Sequence, residues 1–144
     1  LYELAARTQA SAVARVRVLL GARSAEDLMG RDDFEALDVE LVVATEDGSL
    51  GERGLVPEPL ERMLDAEPDA IVYACGPTLM LRRAADLAAA RGRRCLVSLE
   101  NAMACGFGVC LGCAAPKAGG GFALVCRDGP VLEASSVDWE RLAR

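Results

Sequence analysis

The chain has no histidine, and this absence removes several kinds of metal and catalytic site. Cys-His zinc fingers, Rieske centres and histidine-based catalytic triads all require an imidazole. Long apolar runs are also missing: the run at residues 70–75 is far shorter than the roughly 18–20 residues of a membrane helix. No secretory signal is visible, although the chain starts at Leu1 rather than Met. These features predict a cytoplasmic protein that does not span a membrane.

Basic residues are outnumbered, and the formal net charge is −6. Of the 22 acidic residues, 14 lie between Glu26 and Glu67. Contacts with phosphates require a basic face, so we expect no binding to nucleic acid. The acidic stretch is typical of a solvated surface, and electrostatic steering of a basic redox partner is the alternative.

Strands alternate with helices in the first two thirds of the chain. Apolar and β-branched runs predict strands at residues 12–20, 39–44, 70–75 and 94–99, and helical spacing predicts helices at 1–10, 57–66 and 78–91. The alternation predicts an α/β fold with a doubly wound parallel sheet, in which the strand at 70–75 is covered on both faces. The pattern ends at Glu100, so we predict an α/β domain at 1–99 and a small cysteine-rich lobe at 100–144.

Ligands of such sheets bind beyond the carboxyl ends of the strands. Three segments are predicted to lie there, at residues 21–24, 47–54 and 75–78. No Gly-x-Gly-x-x-Gly sequence follows a strand, so the best-known dinucleotide signature is absent. Ser24 has a side chain suited to capping a helix over residues 25–30.

Four cysteines near the end of the chain form the strongest pattern in the sequence. They are Cys105, Cys110, Cys113 and Cys126, with the spacing C-x4-C-x2-C-x12-C. The first three match the plant-type ferredoxin pattern for a [2Fe–2S] cluster, whose two irons take four thiolates. Gly106, Gly108 and Gly112 would allow a tight loop with backbone amides close to sulfur. Structural zinc is the alternative, although zinc ribbons usually use two C-x2-C pairs and this chain has one.

The two remaining cysteines lie on predicted strands. Cys95 is interpreted as a small buried apolar side chain, as free cysteine often is. Cys75 differs because it ends a strand directly before Gly76 and Pro77, at the predicted ligand edge.

Three motifs together resemble one known family. They are YACGP at 73–77, SLENAMACG at 98–106 and CRDGP at 126–130. The chain is similar to the electron-transfer subunit of type B dihydroorotate dehydrogenase, which is one of the ferredoxin-reductase-like flavoproteins. The resemblance runs from Leu1 to about residue 131.

The resemblance implies an N-terminal flavin-binding barrel, a nucleotide-binding α/β domain and a C-terminal [2Fe–2S] lobe. Electrons from dihydroorotate, oxidised at FMN in a catalytic partner subunit, would pass through the cluster to FAD and NAD+ in pyrimidine biosynthesis. The two subunits would form a heterotetramer. No side chain of this chain is expected to act as a catalytic acid or base.

The resemblance also assigns residues. The four clustered cysteines would hold the metal, and Cys75, Gly76 and Pro77 would lie near the nicotinamide and flavin. The nucleotide would be lined by Gly21, Arg23, Ser24, Asp47, Gly48 and Ser49. NAD is implied by the family alone, because Arg23 could equally meet the 2′-phosphate of NADP.

The chain departs from the family pattern at its start. It contains no barrel, so most of a family FAD site lies outside it, and the family's glycine-rich strand would fall upstream of Leu1. Without that central strand, nothing would join the strands at 12–20 and 39–44 to those at 70–75 and 94–99. We therefore expect the chain to be a fragment of a longer polypeptide.

Two alternative functions stay open. A related FAD and [2Fe–2S] subunit of a hydrogenase, sulfide dehydrogenase or ferredoxin–NAD(P) reductase would use a similar lobe, although the twelve-residue gap before Cys126 favours the dihydroorotate enzyme. A zinc-stabilised interaction module with a degenerate nucleotide fold is the other alternative.

Overall fold

A computed structural model describes residues 1–11 and 15–142. The helices are α1 (Tyr2–Ser11), α2 (Arg31–Glu35), α3 (Pro57–Ala66), α4 (Thr78–Ala90), α5 (Val125–Asp128) and α6 (Trp139–Leu142). The strands are β1 (Arg17–Ala22), β2 (Glu40–Thr45), β3 (Glu52–Arg53), β4 (Val72–Cys75), β5 (Cys95–Ser98), β6 (Ala114–Pro116), β7 (Phe122–Leu124) and β8 (Val131–Glu133). None of these helices is both long enough and apolar enough to cross a membrane. The chain divides into two compact units, Leu1–Ala66 and Glu67–Arg144.

The first unit is built on a parallel sheet with the order β1-β2-β3. β1 and β2 pair in register from Arg17 opposite Glu40 to Ala22 opposite Thr45. The carboxyl ends of both strands therefore lie side by side, as parallel pairing requires. Ala44 and Thr45 are almost fully buried at this end, and the polar Thr45 is satisfied by the backbone of Leu50.

The second unit has a sheet of mixed direction with the order β4-β5-β8. β4 and β5 are parallel and are joined through α4, whereas β8 pairs with β5 in the antiparallel direction. α4 buries Leu81 and the small residues Ala84 and Ala88, which allow the helix to approach the sheet closely. Val97 of β5 is fully buried in the same core.

A two-stranded antiparallel hairpin, β6 and β7, completes the second unit. Its turn consists of residues 117–121, including three successive glycines with positive φ. Such backbone angles are rare for other residues, so the turn suits a glycine run. α5 follows β7 at once and carries the last cysteine of the quartet.

The α/β class and the parallel pairing are confirmed. The described parallel strands occur in two sheets, and no described strand joins β1 and β2 to β4 and β5, as the sequence led us to expect. The strand predicted at 12–20 is seen from Arg17, and residues 12–14 lie outside the described part of the chain. The predicted boundary between residues 99 and 100 stays a prediction. It does not separate two sheets, because β8, which follows it, pairs with β5, which precedes it.

Two local predictions were wrong. The strand at 70–75 was expected to be covered on both faces, but Tyr73 and Cys75, which share one face of β4, are exposed, whereas Val72 on the other face is buried. Ser24 does not cap a helix over residues 25–30. A single 3₁₀ turn, Ala25–Asp27, forms there, and the Ser24 hydroxyl donates to the Asp27 carboxylate instead.

Candidate iron–sulfur centre and strand-end sites

The β6–β7 hairpin brings two of the four cysteines together. Its register places Ala114 opposite Leu124, and the next residues, Cys113 and Val125, continue the ladder through a hydrogen bond from Val125 N to Cys113 O of 3.2 Å. Cys126 then lies beside Cys113, with the two Sγ atoms 3.2 Å apart. The register of the hairpin thus brings the two sulfurs together, although twelve residues lie between the cysteines in sequence.

The loop before the hairpin brings the other two cysteines together. Cys110 N donates to Cys105 Sγ over 3.5 Å, and the two side chains also interact directly. The loop turns back on itself through positive φ angles at Gly106 (+75°), Gly108 (+88°) and Leu111 (+61°). The glycines adopt this conformation freely, whereas Leu111 adopts it against its steric preference.

Backbone amides point at the sulfur atoms and change their acidity. The amides of Cys110 and Phe107 lower the pKa of Cys105 to about 6, so this thiol is largely ionised at neutral pH. The amide of Cys126, 3.5 Å from Cys113 Sγ, lowers the pKa of Cys113. The pKa of Cys126 is raised, because its thiol shares a hydrogen bond with Cys113. The two sulfurs of this pair titrate together.

The quartet is therefore arranged as two pairs. Among residues 1–11 and 15–142, no three histidine, cysteine, aspartate or glutamate side chains surround a point that could hold one metal ion. All six cysteines are free thiols. Two pairs of thiols with amides directed at sulfur are the donor set of a two-iron cluster, in which each iron takes two thiolates from the protein. The residues present fit this group, because each pair of thiols could bind one iron and backbone amides are directed at the sulfur atoms.

The two pairs differ in exposure. Cys113 is 2% exposed, and it lies beside the fully buried Val125. Cys110 is exposed, and Cys105 is half-buried. Large apolar residues around this loop are also exposed to solvent, and their exposed fractions are 49% for Met103, 70% for Phe107, 72% for Val109 and 62% for Leu111. The outer pair is thus bordered by an exposed apolar rim, defined by these four residues.

Side chains that the sequence did not single out support the centre. Asp128 Oδ2 accepts a hydrogen bond from the N–H of Leu124 over 2.8 Å. The pKa of the Asp128 carboxyl is lowered, mainly by its hydrogen bond with the Arg127 side chain. Asn101 Nδ2 donates to Cys113 O over 3.3 Å and to Ala114 O over 3.4 Å. Asp128 and Asn101 belong to the motifs CRDGP and SLENAMACG, but neither motif shows which backbone groups the two side chains contact.

In the first unit, the ends of β1 and β2 form a connected edge. Ala25 N donates to Ser49 Oγ over 2.7 Å, and Ser49 gives both its N–H and its hydroxyl to Asp47 Oδ1, at 2.9 and 2.6 Å. These bonds lower the pKa of Asp47, the hydroxyl of Ser49 contributing most. Asp47 N also donates to Arg23 O over 3.1 Å, so the segments that follow β1 and β2 are adjacent. Gly21 and Ala22, which were predicted to lie beyond the strand, are its last two residues.

The remaining residues of this edge have visible local roles. Gly21 has no room for a side chain, because a Cβ there would lie 2.0 Å from Val56 Cγ2. Gly48 has a φ of +77° in the turn after β2. The Arg23 side chain is 81% exposed and lies 3.8 Å from the Asp27 carboxylate. A contact of any of them with a nucleotide stays a prediction.

In the second unit, Cys75 lies at the carboxyl end of β4, opposite Ser98 of β5. Its Sγ is 4.0 Å from Glu100 Oε1, a neighbour that the sequence did not predict. Gly76 has a φ of +148°, and Pro77 precedes the first residue of α4. The three residues form a strand-to-helix turn at the sheet edge, as predicted.

Cys95 behaves as the buried side chain that the sequence predicted. It is 6% exposed, and burial raises its pKa to about 11, so it is a poor metal ligand and nucleophile.

The chain matches known proteins along most of its length. Residues 100–138 match the family model of the iron–sulfur cluster binding domain of dihydroorotate dehydrogenase B. The probable dihydroorotate dehydrogenase B (NAD(+)) electron transfer subunit of Methanopyrus kandleri is 45% identical over 121 residues, which is 83% of this chain and 45% of the relative. The corresponding subunit of Fusobacterium nucleatum is 37% identical over 144 residues, covering 97% of this chain and 53% of the relative.

A solved structure is also similar. It is described as that of the NADH-dependent reduced ferredoxin-NADP oxidoreductase and is 28% identical, with a TM-score of 0.78, over 96% of this chain and 49% of that chain. The chain thus spans about half the length of the proteins it matches. Over the matched part it is similar to the electron transfer subunits of dihydroorotate dehydrogenase B, as its motifs predicted, and residues 100–138 match the iron–sulfur cluster binding domain of that enzyme.

Proposed function

We propose that this chain is the cluster-binding part of a subunit that relays electrons between an FMN-containing dihydroorotate dehydrogenase catalytic subunit and FAD and NAD, in pyrimidine biosynthesis. The observation that carries the proposal is the arrangement of the quartet as two thiol pairs within residues 100–138, the segment matched to the family domain. A [2Fe–2S] cluster, when bound, would supply one-electron transfer.

The protein's part is to hold and shield this group. Cys105 and Cys110 would hold one iron, and Cys113 and Cys126 the other. Amides directed at sulfur would stabilise the negative charge of the ligands, and burial of Cys113 shields one thiol of the inner pair from water. No acid–base side chain is required of the chain, because the chemistry belongs to the cofactors.

The exposed apolar rim supports the proposal that a partner protein binds beside Cys105 and Cys110. Four large apolar side chains are exposed within nine residues, and such patches mark protein interfaces. We propose that the FMN-containing catalytic subunit covers it, within a heterotetramer. A cytoplasmic location is part of the proposal, since reducing conditions keep all six cysteines available as thiols.

We propose that the nucleotides are contacted at two places, the ends of β1 and β2 in the first unit and the end of β4 in the second unit. In the first unit these would be made by Gly21, Arg23, Ser24, Asp47, Gly48 and Ser49, and in the second unit Cys75, Gly76 and Pro77 would lie near nicotinamide and flavin. The hydrogen bond from Asp47 N to Arg23 O, which joins the two strand ends, supports the first set. Residues 1–99 would thus serve nucleotide binding and residues 100–144 the cluster, while most of the FAD site lies outside the chain.

A second candidate is a reductase subunit that exchanges electrons between ferredoxin and NAD(P). The fold similarity to the NADH-dependent ferredoxin-NADP oxidoreductase favours it. The higher identity to dihydroorotate dehydrogenase B subunits favours the first proposal.

Anaerobic co-expression of the full-length protein with an FMN-containing dihydroorotate dehydrogenase separates these functions. We expect co-purification, about two irons and two sulfides per chain, and NADH formation from dihydroorotate. A Cys113→Ser variant is expected to lose iron and NADH formation, whereas Cys95→Ser keeps both. One zinc without iron would contradict the cluster. Iron without co-purification, together with ferredoxin-dependent activity, would support the second candidate.

A further inference from the structure

The carbonyl of Cys113 is a meeting point for the segments that carry the quartet. Val125 N, next to Cys126, donates to it over 3.2 Å, and Asn101 Nδ2 donates to it over 3.3 Å. A carbonyl oxygen has two lone pairs, so both bonds can form at once. The segment before Cys105, the inner cysteine Cys113 and the segment of Cys126 thus converge on one atom.

Asn101 is well suited to this place. Its amide nitrogen has two hydrogens, and it reaches two successive carbonyls, those of Cys113 and Ala114. Because both carbonyls accept hydrogen bonds, the NH₂ group of the Asn101 amide must face them rather than its oxygen, which fixes the orientation of the amide. Asn101 is the only asparagine in the chain, and an aspartate of the same shape would present only oxygen to these carbonyls.

The position of Asn101 connects the cluster domain with β5. It lies three residues after Ser98, which is the last residue of β5 and the register partner of Cys75. A second, purely backbone bond joins the same regions, from Leu99 N to Pro130 O over 2.9 Å. Loss of the Asn101 side chain therefore leaves one connection intact, and the fold is expected to survive.

We propose that Asn101 is a positioning residue for the iron–sulfur centre: its amide fixes the Cys113–Cys126 pair to the end of β5 and so holds it in place relative to the Cys105–Cys110 loop. The inference rests on the proposed function, because it presumes that the quartet binds a cluster. It adds a residue whose role is to keep ligand geometry rather than to bind metal.

The test compares iron-loaded full-length protein carrying Asn101→Ala, Asn101→Asp or Asn101→Gln. Ser136→Ala is the matched control, since the Ser136 hydroxyl also donates to a backbone carbonyl in this unit, that of Glu133, over 2.7 Å. Three quantities are measured: the rate of iron release to a chelator, the reduction potential by titration followed with electron paramagnetic resonance, and the midpoint of thermal unfolding.

We expect Asn101→Ala to release iron roughly threefold to tenfold faster, which corresponds to about one net hydrogen bond, because the two bonds that are lost are both long. Asn101→Asp is expected to have a larger effect and a shifted potential, and Asn101→Gln to recover part of the wild-type rate. Ser136→Ala should lower the unfolding midpoint without changing iron release.

Wild-type iron release and potential in the Asn101 variants, with a loss of stability like that of Ser136→Ala, would overturn the inference and leave the proposed function standing. Should Asn101→Asp fail to fold, the comparison of Asn101→Ala with Asn101→Gln decides alone. A wild-type protein that binds no iron would instead overturn the proposed function, and the inference with it.

Discussion

Replacing Gly51 by alanine should destabilise the first unit through a clash that cannot be relieved by a side-chain rotation. Gly51 lies in the loop that follows β2, with a φ of +68°. A Cβ built there would lie 2.2 Å from the carbonyl oxygen of Val43 and 2.8 Å from its carbonyl carbon. Both atoms belong to the backbone of β2, so either the strand or the loop has to move.

Gly30 provides a matched control in the same unit. Its φ is +76°, but the nearest atoms to a built Cβ, on Asp33 and Phe34, are 4.0 Å away. Both alanine variants lose about 1–2 kcal/mol from the left-handed conformation alone. Gly51→Ala carries a further cost of about 1–3 kcal/mol, the usual range for overpacking. The difference between the two variants is therefore expected to be about 1–3 kcal/mol.

Amide hydrogen exchange along β1 and β2, under conditions where it reports the opening free energy, measures this difference in the first unit. Fluorescence of Trp139, the only tryptophan, reports the second unit and should be unchanged in both variants. Equal protection of the β1–β2 amides in Gly30→Ala and Gly51→Ala would refute the reasoning. It would mean that the loop does not pack on β2 as described.

Three further outcomes follow from the site geometry. In iron-loaded protein, iodoacetamide at pH 8 should label Cys75 and spare Cys95, whose pKa is raised to about 11 by burial. Peptide mass mapping checks this, and equal labelling would contradict the burial of Cys95. Acid unfolding should show a contribution from Asp47, whose pKa is lowered below 3.8, so its stabilising effect is present near neutral pH and is lost as pH falls through the folded value. Ser49→Ala should reduce that contribution, and an unchanged acid profile would argue against the Asp47–Ser49 bonds. Ser49→Ala should also weaken NAD binding, measured by calorimetry, if the edge contacts the nucleotide.

Local patterns predicted most of the secondary structure. The helix expected at 57–66 is α3, and the helix expected at 78–91 is α4, because apolar spacing and an early proline are signals contained in neighbouring residues. The strand expected at 39–44 is shifted by one residue. Such patterns do not show which face of a strand the rest of the fold covers, and the prediction that 70–75 is covered on both faces was therefore wrong.

The grouping of the four cysteines was predictable from the sequence, whereas the surroundings of the candidate centre were not. Cysteine spacing identified the quartet, because thiolate ligation requires that residue type. The grouping into two pairs depends on the β6–β7 register, and the Asn101 and Asp128 contacts depend on chain segments that meet only after folding. The Cys75–Glu100 approach has the same origin, since it requires β4 and β5 to be paired.

The sequence by itself determined the spacing of the clustered cysteines, the alternation of strands and helices, and the motifs that the chain shares with a known family. These depend on residue identity and short-range spacing, which the chain carries without folding. Only the tertiary structure decided that β8 returns antiparallel to β5, that Val56 occupies the space beside Gly21, and that one carbonyl gathers the segments of the cysteine quartet. Each of these joins residues distant in sequence, and such contacts exist only when the core has packed.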